Sequence, residues 1–253
     1  MPRAKPGPGE VAGELSYLRA YDPSAFERPS VTVDVVLLAP AEGGLRTILV
    51  RRDEHPFLGC WALPGGFIRL EESFEAAAAR ILKTKTGLAK PYLEQLYTFG
   101  EPRRDPRTRV ITVAYSALVD ARRFQGADLA AGGTTVARLE VPWKHAEGGP
   151  VRALDGSGKP LPLAFDHASI LGMAVQRLRG KLDYSLLAFE LLPPLFTLYE
   201  LQKVHEAVLG RRLNKDSFRR RLLATGDLAA TGRLQEDVGH RPAELYRWLK
   251  TKR

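Results

Sequence analysis

Cysteine is almost missing from this chain of 253 residues: Cys60 is the sole one, which excludes an intramolecular disulfide. No apolar run approaches the roughly 18 residues that a membrane-spanning helix needs. The start, MPRAKPGPGE, is basic but is not followed by an apolar core, so it does not read as a secretory signal. Also missing are a paired-cysteine metal site, a Walker loop and any Ser-His-Asp arrangement. These absences point to a soluble protein of a reducing cytoplasm with no membrane partner. Cys60 itself, between Gly59 and Trp61, reads as a small buried hydrophobe. Acidic side chains are in deficit, 29 against 38 Lys and Arg, for a net charge of +9. Such a balance suits a polyanionic partner without identifying one.

What is present falls into parts. From Thr197 to the end there are 13 Lys and Arg against 7 Asp and Glu, so +6 of the net +9 lies in the last quarter. Pro193-Pro194 marks a boundary before it. The expected organisation is a disordered tail over 1–20, a large middle unit over 21–192 with a linker helix, and a small basic unit over 193–253. In the middle unit, β-branched runs predict strands over 30–38, 45–51, 92–100, 110–119 and 134–141. The Gly-rich stretches 126–133 and 147–160 read as loops, and apolar spacing predicts a helix over 163–180. Asp166 is read as an N-cap rather than a catalytic acid, and Trp143 and Trp248 as packing residues. The loop from Arg103 to Arg109 either holds the phosphates or ribose of a ligand or forms a solvated hairpin tip.

The organising stretch runs from Gly65-Gly66 to Gly87-Leu88. Its spacing resembles a Nudix box, a Gly-rich loop leading into a metal-binding helix. Gly66, Glu72, Arg80, Leu82, Gly87 and Leu88 are in register, with Ser73 predicted as the N-cap of the helix and Gly87 as its stop. Hydrolysis in Nudix enzymes needs a divalent metal on the pyrophosphate and a positioned water. Carboxylates at i, i+3 and i+4 share one helical face and can hold Mg²⁺. The matching positions here carry Ile81, Thr84 and Lys85. An ammonium there repels a hard cation, so the Mg²⁺ site is expected to be lost, with no catalytic or metal residues. Gly65 and Gly66 are expected to offer backbone amides to a phosphate near the helix start, and Lys85 to supply the charge that metal supplies elsewhere.

In the last unit, Thr197 with Glu200 forms a capping-box pattern ahead of an apolar stripe ending at Gly210. Asn214 caps a second helix, Lys215 to Leu223. Gly-punctuated segments, with Val238-Gly239-His240-Arg241-Pro242 among them, then predict a small hairpin. Two short helices, a tight turn and a hairpin have the shape of a winged helix-turn-helix. With Phe218 and Leu222 on the core face, Asp216, Ser217 and Arg220 point outward and Arg219 and Arg221 flank them. Lys215, Ser217, Arg219, Arg220, Arg221, His240 and Arg241 are therefore the expected DNA-binding residues.

A degenerate Nudix box followed by a winged helix resembles the Nudix-related transcriptional regulators of the NrtR type. The likeness extends to Tyr21-Asp22-Pro23-Ser24, Arg28 to Asp34, Trp61 to Phe67, Arg104 to Arg107, Phe165 to Ala168, Leu178 to Ser185, and Arg241 to Arg247. It implies an α+β fold: a Nudix-like mixed sheet packed between helices as an α/β/α sandwich, then a winged helix. It implies a homodimer on a palindromic operator of double-stranded DNA. It also implies a nucleotide-like effector such as ADP-ribose and control of NAD-metabolism genes. The expected ligand contacts are Gly65, Gly66, Arg69, Lys85, Arg104 and Arg107. Two other readings stay open at this point: a weakly active hydrolase with an accessory domain, and an RNA- or protein-binding adaptor on a dead Nudix fold.

Overall fold

The computed structural model describes residues 8–88, 93–126, 133–182, 191–236, 239 and 241–249. Its centre is a long strand, β1 (Ser30–Ala41), whose alternating side chains serve two cores. Val33, Val35, Leu37 and Ala39 face helix α2 (Phe74–Thr86), while Val36 and Leu38 face the opposite side, where α4 (His167–Leu182) packs. A strand buried on both faces reads as a continuous apolar run, which is the composition of Val33 to Leu38 apart from Asp34. The result is the expected α/β/α arrangement around a mixed sheet.

The sheet adds β2 (Gly44–Arg51), β5 (Glu94–Phe99), β6 (Val110–Leu118) and β7 (Thr134–Glu140). Two short strands, β8 (Arg152–Leu154) and β9 (Pro160–Leu161), extend the edge, giving the order β5-β6-β1-β2-β7-β8-β9. β1 and β6 run parallel, with Asp34 opposite Ala114; the other pairings are antiparallel. Off this path, β3 (Trp61–Ala62) pairs with β2 and β4 (Gly65–Phe67) pairs with β1. A short helix α3 (Ala121–Gly126) follows β6.

Three local readings are corrected. Residues Pro8–Ala20, expected as tail, form helix α1, with exposed Leu15, Tyr17 and Leu18; Pro8 at the start, then Glu10, Ala12, Glu14 and Leu15, supply the local preference. The stretch 147–160 contains β8 rather than loop alone. The helix expected from residue 163 starts at His167, because Leu163 bridges to Trp61 and Phe165 takes a left-handed φ of 52°. Cys60 is half-buried, its N–H donating to the Phe57 carbonyl at 3.1 Å. Of the Gly-rich segment 126–133, residues 127–132 lie outside the described residues.

Past Pro193-Pro194, α5 (Leu198–Leu209) carries the predicted capping box, Thr197 with Glu200, and ends on Gly210 at φ 68°. Glu206 ties down the turn that follows by accepting from the Leu213 N–H at 2.9 Å, a bond that holds its carboxyl down at about 2. Asn214 then caps α6 (Lys215–Ala224), its side chain accepting from the Ser217 N–H. β10 (Leu228–Leu234) and β11 (Glu244–Trp248) pair as the hairpin, and Phe196 joins its edge through a single antiparallel bridge to Tyr246. This is a winged helix.

One apolar cluster runs from the sheet through α4 into Leu201, Val204, Val208 and Phe218 of the winged helix. Arg179 of α4 fastens the junction. Its guanidinium donates to the carbonyls of Val208 (2.9 Å), His145 (2.9 Å) and Trp143 (3.3 Å), and lies 4.8 Å from the centre of the Trp143 ring. Trp143 is thus a packing residue, set against Arg179 and the apolar cluster that spans the junction.

Candidate effector cleft and DNA-facing helix

A cleft of about 380 Å³ opens between β1, β4, α2 and the loops before β6 and α4. Gly65 and Gly66, Lys85, Arg104 and Arg107 all line it, with Phe67, Ile81, Thr84, Asp34, Phe165 and His167. Its floor is a buried polar network. Asp34 accepts from the Thr112 hydroxyl at 2.7 Å and lies 3.6 Å from the Arg104 guanidinium. Arg104 grips Asp166 with two parallel bonds of 2.9 and 2.7 Å, a fork that fits a carboxylate. The Asp166 side chain therefore binds Arg104 rather than capping α4.

His167 completes the floor. Its Nδ1 accepts from the Leu63 N–H at 2.9 Å, so that nitrogen carries no proton, and Nε2 lies 3.8 Å from Asp34. Burial pulls its pKa below the ordinary value and outweighs the opposing attraction of Asp34. The folded ring is thus neutral, whereas the unfolded one gains a proton near ~6.5. Stability from this site is full above ~6.5 and declines as pH falls below it, by at most ~1.4 kcal/mol per pH unit for one proton. Denaturant midpoints at about pH 7.5 and about pH 5.5 check this. The drop should shrink in a His167→Gln variant, whose amide oxygen can still accept from Leu63; an equal drop would show that His167 does not titrate on unfolding.

The wall beside the floor is α2. Ser73 caps it by accepting from the Ala76 N–H, and Gly87 ends it at φ 69°. Glu72 and Arg80 are in Nudix register and serve the loop: Glu72 accepts from Arg80 Nε at 2.9 Å and from the Arg69 N–H at 2.8 Å, while Arg80 donates to the Phe67 carbonyl at 3.2 Å. The Arg80 contact, above all, holds the Glu72 carboxyl down at about 2. Glu75 accepts from the Tyr115 hydroxyl at 3.0 Å. The usual metal face presents Ile81, buried at 2% exposure in the α2 core, with exposed Thr84 and Lys85. These residues do not fit a divalent cation, which takes oxygen ligands.

The mouth is aromatic and cationic. The Arg107 guanidinium lies 5.6 Å from the Phe67 ring centre and 5.9 Å from that of Phe165. Asp105 holds it in place with a two-bond fork of 3.0 and 2.7 Å. Arg52 covers Phe165 at 5.0 Å. Planar groups of this kind accept an aromatic base by stacking, and a guanidinium accepts a phosphate or another anion. The loop from Arg103 to Arg109 is therefore a cleft wall, not a free hairpin tip.

Three sequence expectations change. Arg69 is exposed and does not line the cleft; its backbone is tied to Glu72, the N–H donating to the Glu72 carboxylate at 2.8 Å and the carbonyl accepting from the Glu72 N–H at 3.3 Å. Arg104 lines it, but its guanidinium is committed to Asp166 and set beside Asp34, so it builds the floor rather than reaching outward. Gly65 and Gly66 pair with Asp34 and Val33 as strand β4, a Cβ on Gly66 standing 3.8 Å from Ile81 midway along α2, not at its start. A Cβ on Gly65 would fall 2.0 Å from Asp34 Oδ1, so this glycine is required by a neighbouring carboxylate. Asp34, His167, Phe67 and Phe165 carry no site signature of their own in the sequence, and Asp166 reads there only as a helix cap. Their signal lies in the family likeness: Arg28 to Asp34, Arg104 to Arg107 and Phe165 to Ala168 are segments of it, and the fold gathers all three here.

On α6, Phe218 is buried and Leu222 packs behind it, while Lys215, Ser217, Arg219, Arg220 and Arg221 are exposed, as the 100° spacing predicts. Arg219 lies near enough to Tyr246 on β11 for its charge to act on that hydroxyl. Arg221 turns toward the junction with the effector unit. Arg241 is exposed before β11, and His240 lies outside the described residues. Among the described residues, no helix is long and apolar enough to cross a membrane.

Known proteins agree with this geometry. Residues 28–145 match the NUDIX domain and residues 188–248 the NrtR DNA-binding winged helix domain. A repressor of Acinetobacter baylyi, described as the ADPR responsive transcriptional repressor NtrR, is 38% identical over 239 residues, 94% of this chain and 89% of that protein. The crystal structure of Shewanella oneidensis NrtR with a 27mer DNA superposes with a TM-score of 0.67 at 38% identity, covering 86% of this chain and 93% of that one. The NUDIX domain of the same protein, crystallised with ADP ribose, superposes at 0.50 and 36% identity over 65% of this chain and 98% of that one. With a Nudix-fold cleft, a basic winged helix and relatives alike over nearly their whole length, the chain belongs to the NrtR family of transcriptional regulators.

Proposed function

We infer that this chain is a transcriptional regulator that binds double-stranded DNA through α6 and its wing, and that its cleft binds ADP-ribose or a close relative without cutting it. The observation that carries this reading is the cleft wall itself. Ile81, Thr84 and Lys85 stand where a hydrolase holds metal, opposite a mouth of Phe67, Phe165 and Arg107. A pyrophosphate between Lys85 and Arg107 has two cations to meet its charge, and the rings can stack its base. With Ile81, Thr84 and Lys85 in place of carboxylates, α2 lacks the ligands for a metal that would orient and activate water, which supports binding without hydrolysis. The protein acts as a homodimer on a palindromic operator in the cytoplasm, two-fold symmetry setting one α6 in each of two successive major grooves.

The test is a pair of measurements on the full chain. Calorimetric binding of ADP-ribose should weaken on the order of tenfold or more in Lys85→Glu, about 1.4 kcal/mol per factor of ten. Undiminished affinity would remove Lys85 from the site. Incubation of the parent protein with ADP-ribose and Mg²⁺ should leave the ligand intact, and turnover abolished by chelator would identify a hydrolase instead.

A further inference from the structure

A second charged surface lies on the sheet of the effector unit, and none of the cleft residues line it. β2 and β7 place Arg46 directly opposite Arg138, and both side chains are exposed. Like charges in that position repel across a strand pair. Past β7, the exposed Lys144 lines a groove of about 700 Å³ with Arg138, Arg211 of the α5–α6 turn and Arg221 of α6. Among the described residues, none of these five cations has a carboxylate within ion-pair distance. The one carboxylate lining the groove among the described residues, Glu140, is paired with Arg152 at 2.6 Å. A strip of unpaired cations thus runs from the sheet of the effector unit to the helix expected to enter DNA.

We propose that this strip is a DNA-backbone surface: the effector unit, through Arg46, Arg138 and Lys144, holds phosphates of the duplex flanking the bases faced by α6. The occupant is argued from continuity and charge. Arg221 and Arg211 belong to the winged helix and to the groove alike, so a duplex seated on α6 brings its polyanionic strand to the mouth of the groove. Exposed Arg and Lys side chains without partners are the groups that exchange condensed counterions for phosphates. The consequence is regulatory as well. Contacts from both units to one duplex make DNA affinity depend on how the effector unit is set against the winged helix.

This inference rests on the reading of α6 as a DNA-binding helix, and the experiment separates the two. Binding of the full-length protein to its preferred duplex and to random duplex is followed across salt concentrations, for the parent and for Arg46→Ala combined with Arg138→Ala. Each lost phosphate contact should reduce the slope of log K against log salt by ~0.9, so the double variant should lose nearly two per protomer, or nearly four for a dimer on its operator. Sequence preference should stay the same, because these contacts touch no bases. ADP-ribose affinity and melting temperature should match the parent, or rise for the latter as the Arg46–Arg138 repulsion is removed. An unchanged slope in a parent that does bind DNA would overturn the proposal, as would unchanged DNA binding accompanied by lost affinity for inorganic pyrophosphate, the signature of a small-anion site. A parent without salt-sensitive, sequence-selective binding would instead overturn the reading of α6.

Discussion

Arg219→Ala combined with Arg220→Ala is expected to remove specific DNA binding while leaving ADP-ribose affinity and the melting temperature near those of the parent. Both side chains are exposed on α6, and its inward anchor Phe218 is untouched. Losing a side chain that contacts a base edge costs about 1–3 kcal/mol, so the pair corresponds to roughly 30-fold to 10⁴-fold in affinity. The single variants should differ. Arg219 lies near the Tyr246 hydroxyl and is partly engaged there, whereas Arg220 is exposed on the face that the 100° spacing turns outward. Arg220→Ala should therefore account for most of the loss. DNA affinity retained at physiological salt in the double variant would remove α6 from the interface.

Arg104→Ala should be the most destabilising single change at the cleft. The guanidinium is nearly fully buried, forked onto Asp166 and set 3.6 Å from the buried Asp34. Deleting it strands two carboxylates at the floor, and breaking a buried pair from one side costs about 3–5 kcal/mol. The same deletion made in Asp166→Ala should cost less, since one of the two carboxylates has already gone. A double-mutant cycle by denaturant unfolding measures that coupling. Additive losses would show that the fork contributes no more than its parts. Effector binding should fail in Arg104→Ala even where the protein folds, because the floor that positions Leu63 and β4 has lost its centre.

Elements with a local signature were legible in the sequence. The caps of α2, α5 and α6 are short-range hydrogen bonds written in single residues: Ser73, Thr197 with Glu200, and Asn214. The exposed face of α6 follows from one angle per residue. The two-sided burial of β1 follows from its unbroken apolar run. The floor of the cleft has no such signature. Arg104 and Asp166 are 62 residues apart in sequence and meet only after the sheet has formed. Arginines near a site therefore looked alike on paper, and the structure separates them: Arg104 is structural, Arg107 is at the mouth, and Arg69 is outside. The strands β3 and β4, two and three residues long, are too short to show alternation. The left-handed backbone at Phe165, which delays α4, is likewise invisible where no glycine announces it.

Sensing a ligand without consuming it is what Ile81, Thr84 and Lys85 on α2 imply for this Nudix-fold cleft. The most direct test follows the fluorescence anisotropy of the protein on a duplex selected from random sequence, with Mg²⁺ present, after one addition of ADP-ribose. The expected result is a step in anisotropy that then holds steady for hours, with the ADP-ribose recovered intact. A signal that changes and then relaxes back as AMP accumulates, or one that never responds while the ligand is bound, would contradict it.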